Sequence, residues 1–197
     1  MLFRRVFYND PAAAPPSEMF RISRNTPAYY FTSVTHNRLS IFRTDKLKQV
    51  VCDAFAEARE RHGILILAYV IMNDHVHLLA FSDRKLEDTL RLLNGISARR
   101  VIQHLKENNF ESSLFKLRHE VRERNYRHSV WQHHPDSLEI FGEDTFRQKA
   151  EYIHMNPVRA GLARRAEEYV FSSARQWAGA SGVDEPLATD HLKIDWR

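Results

Sequence analysis

The chain has 197 residues, 43% of them hydrophobic and 27% charged, which fits one domain of ordinary size with a sizeable core and excludes a collagen-like or disordered polymer. Its single cysteine, Cys52, excludes an intrachain disulfide and a cysteine zinc cluster, and no apolar run reaches the length of a membrane span. The formal net charge of +4, with 11 histidines, permits a polyanionic partner without requiring one.

Residues 1–27 read as an N-terminal arm. They lack a continuous apolar leader region, and residues 11–17 have the composition of a linker, so a cytoplasmic protein is expected. Residues 28–35, AYYFTSVT, are rich in aromatic and β-branched side chains and predict a first strand. Thr44 and Asp45 then open a helix that runs to about His62, with Gly63 as its stop. Leu47, Val50, Val51, Ala54, Phe55 and Ala58 follow the spacing of a helix with one buried face.

Residues 64–81, ILILAYVIMNDHVHLLAF, read as two apolar strands joined by a tight turn at Asn73 and Asp74. Side chains alternate along a strand, so His75 and His77 project to one face while Val76 and Leu78 project to the other. Two adjacent imidazoles offer a place where a metal ion or a ligand meets both. A lone His-x-His pair on a strand is more often structural or solvated than metal-binding, and a metal site needs a further ligand from elsewhere in the chain.

Ser82 and Asp83 are expected to cap a second helix over residues 85–108, with Leu86, Leu90, Leu93, Val101 and Leu105 on its buried stripe. Arg91, Arg99, Arg100 and Lys106 lie off that stripe. Residues 112–128 hold Lys116, Arg118, Arg122, Arg124 and Arg127, interrupted by Glu120 and Glu123; such a segment tracks a phosphate backbone or keeps a loop solvated. Residues 129–132, with Trp131 central, and residues 137–141 are candidates for the last strand. The order β-α-β-β-α-β predicts an α+β, ferredoxin-like split βαβ, an antiparallel sheet with two helices on one face. The opposite sheet face is left for the histidines.

A further helix is expected from Glu143 or Asp144 to about Asn156, because Pro157 disfavours helical geometry in the residue before it. Phe146, Ala150 and Ile153 form its apolar stripe. Tyr152 lies about 100° off that stripe, and Lys149 and Asn156 share its side. On this pattern alone a half-buried tyrosine packed on the sheet is the commoner case, ahead of a reactive one. His154 lies near the opposite helix face and reads as structural. The folded unit is expected over residues 28–178, followed by a tail over 179–197.

NDHVHLLA at residues 73–80, VWQHH at 130–134, YIHMNPVRAGL at 152–162 and YVFSSA at 169–174 resemble the REP-associated tyrosine transposases. These are single-tyrosine HUH transposases, in which U is a hydrophobic residue. The resemblance spans residues 28–177 with its motifs in order. It implies that Tyr152 is the nucleophile, that His75 and His77 are the metal-binding pair, and that Asn156 completes the metal site. Two imidazoles suit zinc, whereas an amide oxygen with waters suits Mg²⁺ or Mn²⁺; the resemblance selects Mg²⁺ or Mn²⁺. Asp74 is a candidate to orient a histidine from behind, although its place in the turn explains it equally well.

The function implied is a metal-dependent single-stranded DNA endonuclease and strand transferase acting on REP-type hairpin DNA through a 5′-phosphotyrosyl intermediate. Such an enzyme works at the nucleoid, as a monomer or a homodimer, without a membrane. Lys149, Arg159, Arg164, Arg165, Arg99, Arg100, Lys116, Arg118, Arg122 and Arg124 are candidate phosphate contacts, and Trp131 is a candidate base-stacking residue. A non-catalytic, domesticated hairpin-DNA-binding protein is the alternative. A histidine-triad hydrolase fits poorly, because the third alternating position is Leu79.

Overall fold

The computed structural model describes residues 19–118, 128–133, 135–180 and 185–196. Four strands, β1 (Ala28–Val34), β2 (Leu65–Ile71), β3 (His75–Phe81) and β4 (Asp136–Ile140), form one antiparallel sheet in the order β2-β3-β1-β4. Helix α1 (Asp45–His62) crosses from β1 to β2, and α2 (Leu86–Glu107) with the short α3 (Glu111–Lys116) crosses from β3 to β4. This is the expected ferredoxin-like α+β arrangement.

Local chemistry fixes these elements. Thr44 caps α1 by accepting the Leu47 N–H on its side chain, and Gly63 ends the helix in the left-handed region at φ 66°. At the start of α2 the expected cap is not formed. Lys85 occupies the cap position without a side-chain bond, and the Ser82 hydroxyl accepts the Arg84 N–H at 3.2 Å, so it closes the preceding turn. Of the two candidate regions for the last strand, only the second forms one. Trp131 makes a single bridge to Thr35 before β4 begins.

The two sheet faces carry separate cores. Tyr29, Phe31, Tyr69, Ile71, Val76 and Leu78 face α1 and α2 and pack with Val51, Phe55, Leu93 and Val101. Tyr30, Leu67, Val70 and Leu79 face the other way and pack with Phe146, Ala150 and Ile153 of α4 (Glu143–Arg159), Trp177 of α5 (Ala174–Trp177) and Ile194. Phe20 pairs with Ile194, and Ile22 enters the same core, so parts of both the expected arm and the expected tail lie on this face.

Helix α4 extends past its expected end. Pro157 lies inside it, and the helix runs to Arg159. The missing proline N–H costs one backbone bond, but the next turn is closed by Ala160 N–H to Asn156 C=O at 3.0 Å and Leu162 N–H to Pro157 C=O at 2.8 Å. The outer edge of β2 is covered by the YVFSSA segment. Ile71 N–H donates to Phe171 C=O at 2.9 Å, Ser173 N–H to Tyr69 C=O at 3.0 Å, and the Tyr169 hydroxyl to Ile71 C=O at 2.8 Å.

Candidate active site

Strand register places the histidines. His75 and His77 face the α4 side of the sheet, and His77 lies in one row with Val70 of β2, Thr32 of β1 and Asp136 of β4. Their rings are 4.8 Å apart between centroids. Across from them α4 presents Tyr152, whose ring stands edge-on to His77 at 5.2 Å. The pattern that put Tyr152 off the apolar stripe has a structural counterpart: Ile153 beside it is fully buried, whereas Tyr152 is 38% exposed. The helix thus packs one side on the sheet and lifts the phenol toward solvent.

Each imidazole has one ring nitrogen already engaged. His75 Nδ1 is 2.6 Å from Asp74 Oδ1, and Asp74 Oδ2 accepts from Arg38 at 3.2 Å. His77 Nδ1 is 3.0 Å from the Tyr30 hydroxyl and 3.0 Å from Thr32 Oγ1. Held in this way, each ring has Nε2 as its remaining nitrogen, the arrangement found where an oxygen partner orients a metal-bound histidine. His77 is 4% exposed, and burial, with the neighbouring His75 and Lys149 and against the pull of Asp74, lowers its pKa to about 3. The ring is therefore neutral at physiological pH, the form that binds a metal.

The donor set fits a hard divalent ion with open positions. Among the described residues no third histidine, cysteine or carboxylate joins the pair in a metal-binding cluster. Asn156, on the Tyr152 side of α4 and half-buried, is the carboxamide available to complete it. Two imidazoles and an amide leave several positions for water and phosphate oxygens, as Mg²⁺ and Mn²⁺ prefer.

Cations surround the phenol. Lys149 Nζ lies 4.5 Å from the Tyr30 ring centroid and 6.0 Å from that of Tyr152, and the Arg159 guanidinium lies 5.2 Å from the Tyr152 ring. Lys149 and Arg159 are therefore brought to the site. Arg164 and Arg165 follow α4 closely but are exposed, and the Arg165 side chain is paired with Glu168 at 3.0 Å.

The other candidate DNA contacts lie elsewhere. Arg99 and Arg100 turn toward Glu57 of α1, at 3.4 and 2.6 Å, on the helix-covered side of the sheet. Lys116 and Arg118 are exposed at α3, with Arg118 over the Phe115 ring at 5.6 Å; Arg122 and Arg124 lie outside the described residues. Trp131 is not open to a base. It is 7% exposed, donates Nε1–H to Ser97 Oγ at 3.1 Å and packs on Phe42, because the chain turns inward to meet Thr35 before β4. His154 is structural, buried with Nε2 2.8 Å from Ser173 Oγ.

Tyr30 and Thr32 were not legible as site residues. Alternation puts them on one face of β1, but only the pairing of Thr32 with His77 shows which face that is.

Residues 24–121 match the family described as IS200-like transposases, and through this segment, which includes both histidines and ends before α4, the chain belongs to that family. In structure the chain is similar to a REP-associated tyrosine transposase bound to a REP hairpin, with a TM-score of 0.58, 16% identity, and 91% of this chain and 93% of that chain covered. That likeness shows the fold over nearly the whole length. A candidate transposase from Deinococcus radiodurans aligns with a TM-score of 0.42 and 21% identity over 72% of this chain and 95% of that one. No curated protein matches the chain in sequence.

Proposed function

We propose that the protein is a metal-dependent single-stranded DNA endonuclease and strand transferase that works on hairpin DNA through a 5′-phosphotyrosyl intermediate. The observation that carries this reading is the meeting of a solvent-facing phenol with two imidazoles whose Nδ1 atoms are already held, at 5.2 Å between the Tyr152 and His77 rings. A merely structural tyrosine would not need Lys149 and Arg159 at its ring. The similar REP-associated transposase is bound to a REP hairpin, which supports a hairpin as the substrate class.

His75 and His77 through Nε2, with the Asn156 carboxamide, would hold Mg²⁺ or Mn²⁺. When bound, the ion supplies Lewis-acid polarisation of a phosphate oxygen and a template for the scissile bond. The rest falls to the chain. Tyr152 Oη forms a bond to phosphorus as the bond from phosphorus to the 3′ oxygen breaks, and the phenolic proton is balanced by the proton the departing 3′-hydroxyl gains. Lys149 and Arg159 place positive charge beside the phosphate. Attack of a 3′-hydroxyl on the phosphotyrosine restores the phenol and joins a new strand, so the cycle conserves one phosphodiester and consumes no ATP. Arg164, Lys116 and Arg118 are exposed and suited to backbone phosphates farther along the strand. Such an enzyme acts where chromosomal DNA is, in the cytoplasm; no helix among the described residues is long and apolar enough to cross a membrane.

The test is a denaturing gel of purified protein with labelled hairpins taken from DNA flanking its own gene, with Mn²⁺ or Mg²⁺, an EDTA control, and the variants Tyr152→Phe and His75→Ala. The expected result is a metal-dependent covalent adduct lost in both variants. Hairpins retarded on a native gel with neither cleavage nor adduct would overturn the reading in favour of a non-catalytic hairpin-binding protein.

A further inference from the structure

We infer that Tyr30 and Thr32 are positioning residues for His77, fixing which of its ring nitrogens faces a divalent ion, and that Tyr30 also joins that histidine to the tyrosine helix. This inference rests on His77 being a metal ligand.

The two histidines are held by different chemistry. His75 is gripped by a carboxylate, Asp74, which Arg38 steadies in turn at 3.2 Å. His77, deeper in the sheet, has no carboxylate bonded to its ring among the described residues; its Nδ1 meets two hydroxyls, Tyr30 Oη and Thr32 Oγ1, both at 3.0 Å. Thr32 donates its own O–H to Tyr30 Oη at 3.2 Å. With that hydrogen used, the Thr32 oxygen is left as an acceptor for a proton on Nδ1, the tautomer in which Nε2 keeps its lone pair. Strand geometry builds this circuit, since Thr32 is the register partner of His77, and Tyr30 is two residues away on the same face of β1. Tyr30 is 5% exposed, so water does not compete for its hydroxyl.

The neutral grip has a consequence for metal binding. A carboxylate behind an imidazole makes it a stronger donor, whereas a hydroxyl orients it without adding charge. The pair therefore combines one strengthened ligand with one oriented but weaker ligand, suited to an ion that exchanges and keeps its waters. The Tyr30 ring does separate work. Lys149 Nζ rests over it at 4.5 Å, and Lys149 sits one turn before Tyr152 on α4. One residue thus touches both the histidine and the helix that carries the phenol.

Tyr30→Phe keeps the ring under Lys149 and removes only the hydroxyl; Thr32→Val keeps the shape and removes the other. Two readouts are taken on metal-free protein and with Mn²⁺ alone: the tautomer of His77 from long-range proton–nitrogen-15 correlations, and Mn²⁺ affinity from the paramagnetic resonance signal of free Mn²⁺. In the native chain His77 is expected as the Nδ1-protonated tautomer. The double variant should show a mixture of tautomers and Mn²⁺ binding weakened about 10- to 100-fold, each single variant a smaller part of that, and hairpin retardation in EDTA unchanged. An unaltered tautomer and unaltered Mn²⁺ affinity in the single and double variants would overturn the inference. His77→Ala separates this from failure of the parent reading. If His77→Ala abolishes Mn²⁺ binding while the hydroxyl variants change nothing, only the positioning role falls. If His77→Ala binds Mn²⁺ as the native chain does, His77 is no ligand and both fall.

Discussion

The buried side of the tyrosine helix makes a stability prediction that can be worked from the structure. His154 points away from the candidate site, with Nε2 2.8 Å from Ser173 Oγ and its ring edge-on to Trp177 at 5.5 Å. Burial, with His191 adding to it, lowers its pKa to about 3. In the unfolded chain an imidazole titrates near 6.5, so between those values the unfolded state carries the proton and the native state does not. The stabilisation is therefore complete above about pH 6.5 and is lost as pH falls toward about 3. At pH 5, about 1.5 units below the unfolded value, the loss is RT ln(1 + 10^1.5), about 2 kcal/mol. His154→Gln keeps a hydrogen-bonding partner for the Ser173 hydroxyl and removes the titration. Urea unfolding followed by tryptophan fluorescence at about pH 7.5 and about pH 5 should show a drop in unfolding free energy about 2 kcal/mol larger for the native chain than for the variant, or roughly 5 °C in melting temperature. The half-buried His191 and the buried His77 titrate in both proteins and cancel in the difference. Equal drops would show that His154 is not the buried neutral base the packing implies.

Asp74→Asn removes the carboxylate from His75 Nδ1 while leaving the turn backbone intact; Mn²⁺ affinity, read by the free-ion resonance signal, should fall about 10- to 100-fold, with thermal stability changed by less than about 1 kcal/mol because the Arg38–Asp74 pair is exposed on its Arg38 side. Arg59→Ala strips two 2.8 Å bonds from the buried Asp190 carboxylate, which also anchors the Ile66 N–H. Arg59 itself is about one-third exposed and Lys193 remains nearby, so the expected cost is about 2–3 kcal/mol, below the full value for breaking a buried pair, and the urea midpoint measures it. Gly63→Ala puts a side chain into open space at φ +66°, so its cost of about 1 kcal/mol in thermal unfolding is purely conformational; no loss would mean that α1 ends differently.

Much of the fold was legible because its signals are local. Thr44, the heptad-like apolar spacing of α1 and Gly63 mark that helix without tertiary information, and the Asn73–Asp74 turn between two apolar runs marks the hairpin. Signals that act through space were not legible. Trp131 in sequence is an aromatic residue amid basic ones, but its indole N–H is taken by Ser97, far away in the chain. Arg99 and Arg100 look like free charge on a helix until Glu57 on α1 is seen to face them. Pro157 obeyed a true local rule, yet bonds in the following turn carried α4 onward. In the candidate site, Tyr152, His75, His77, Asn156 and Arg159 lie within motifs, whereas the hydroxyls behind His77 become visible only through strand register.

The placement of the site follows from a sheet buried on both faces. On the first face α1 and α2 cover the strands fully, leaving no room for chemistry. On the second, α4 covers the sheet with Phe146, Ala150 and Ile153 and then presents Tyr152 at its margin. Exposure rises outward across this margin, from His77 at 4% through a partly buried His75 to the open phenol. The inner boundary supplies hydroxyls and a dry setting that hold an imidazole neutral and oriented; the outer boundary supplies an accessible nucleophile with Lys149 and Arg159 beside it. In the proposed reaction a phosphate arriving from solvent meets cations and the phenol before it reaches the histidines. Burying the phenol as deeply as His77 would keep the strand out, and exposing His77 as much as the phenol would release its ring to water. Helix α4, amphipathic and set at the edge of its own packing, provides both conditions at once.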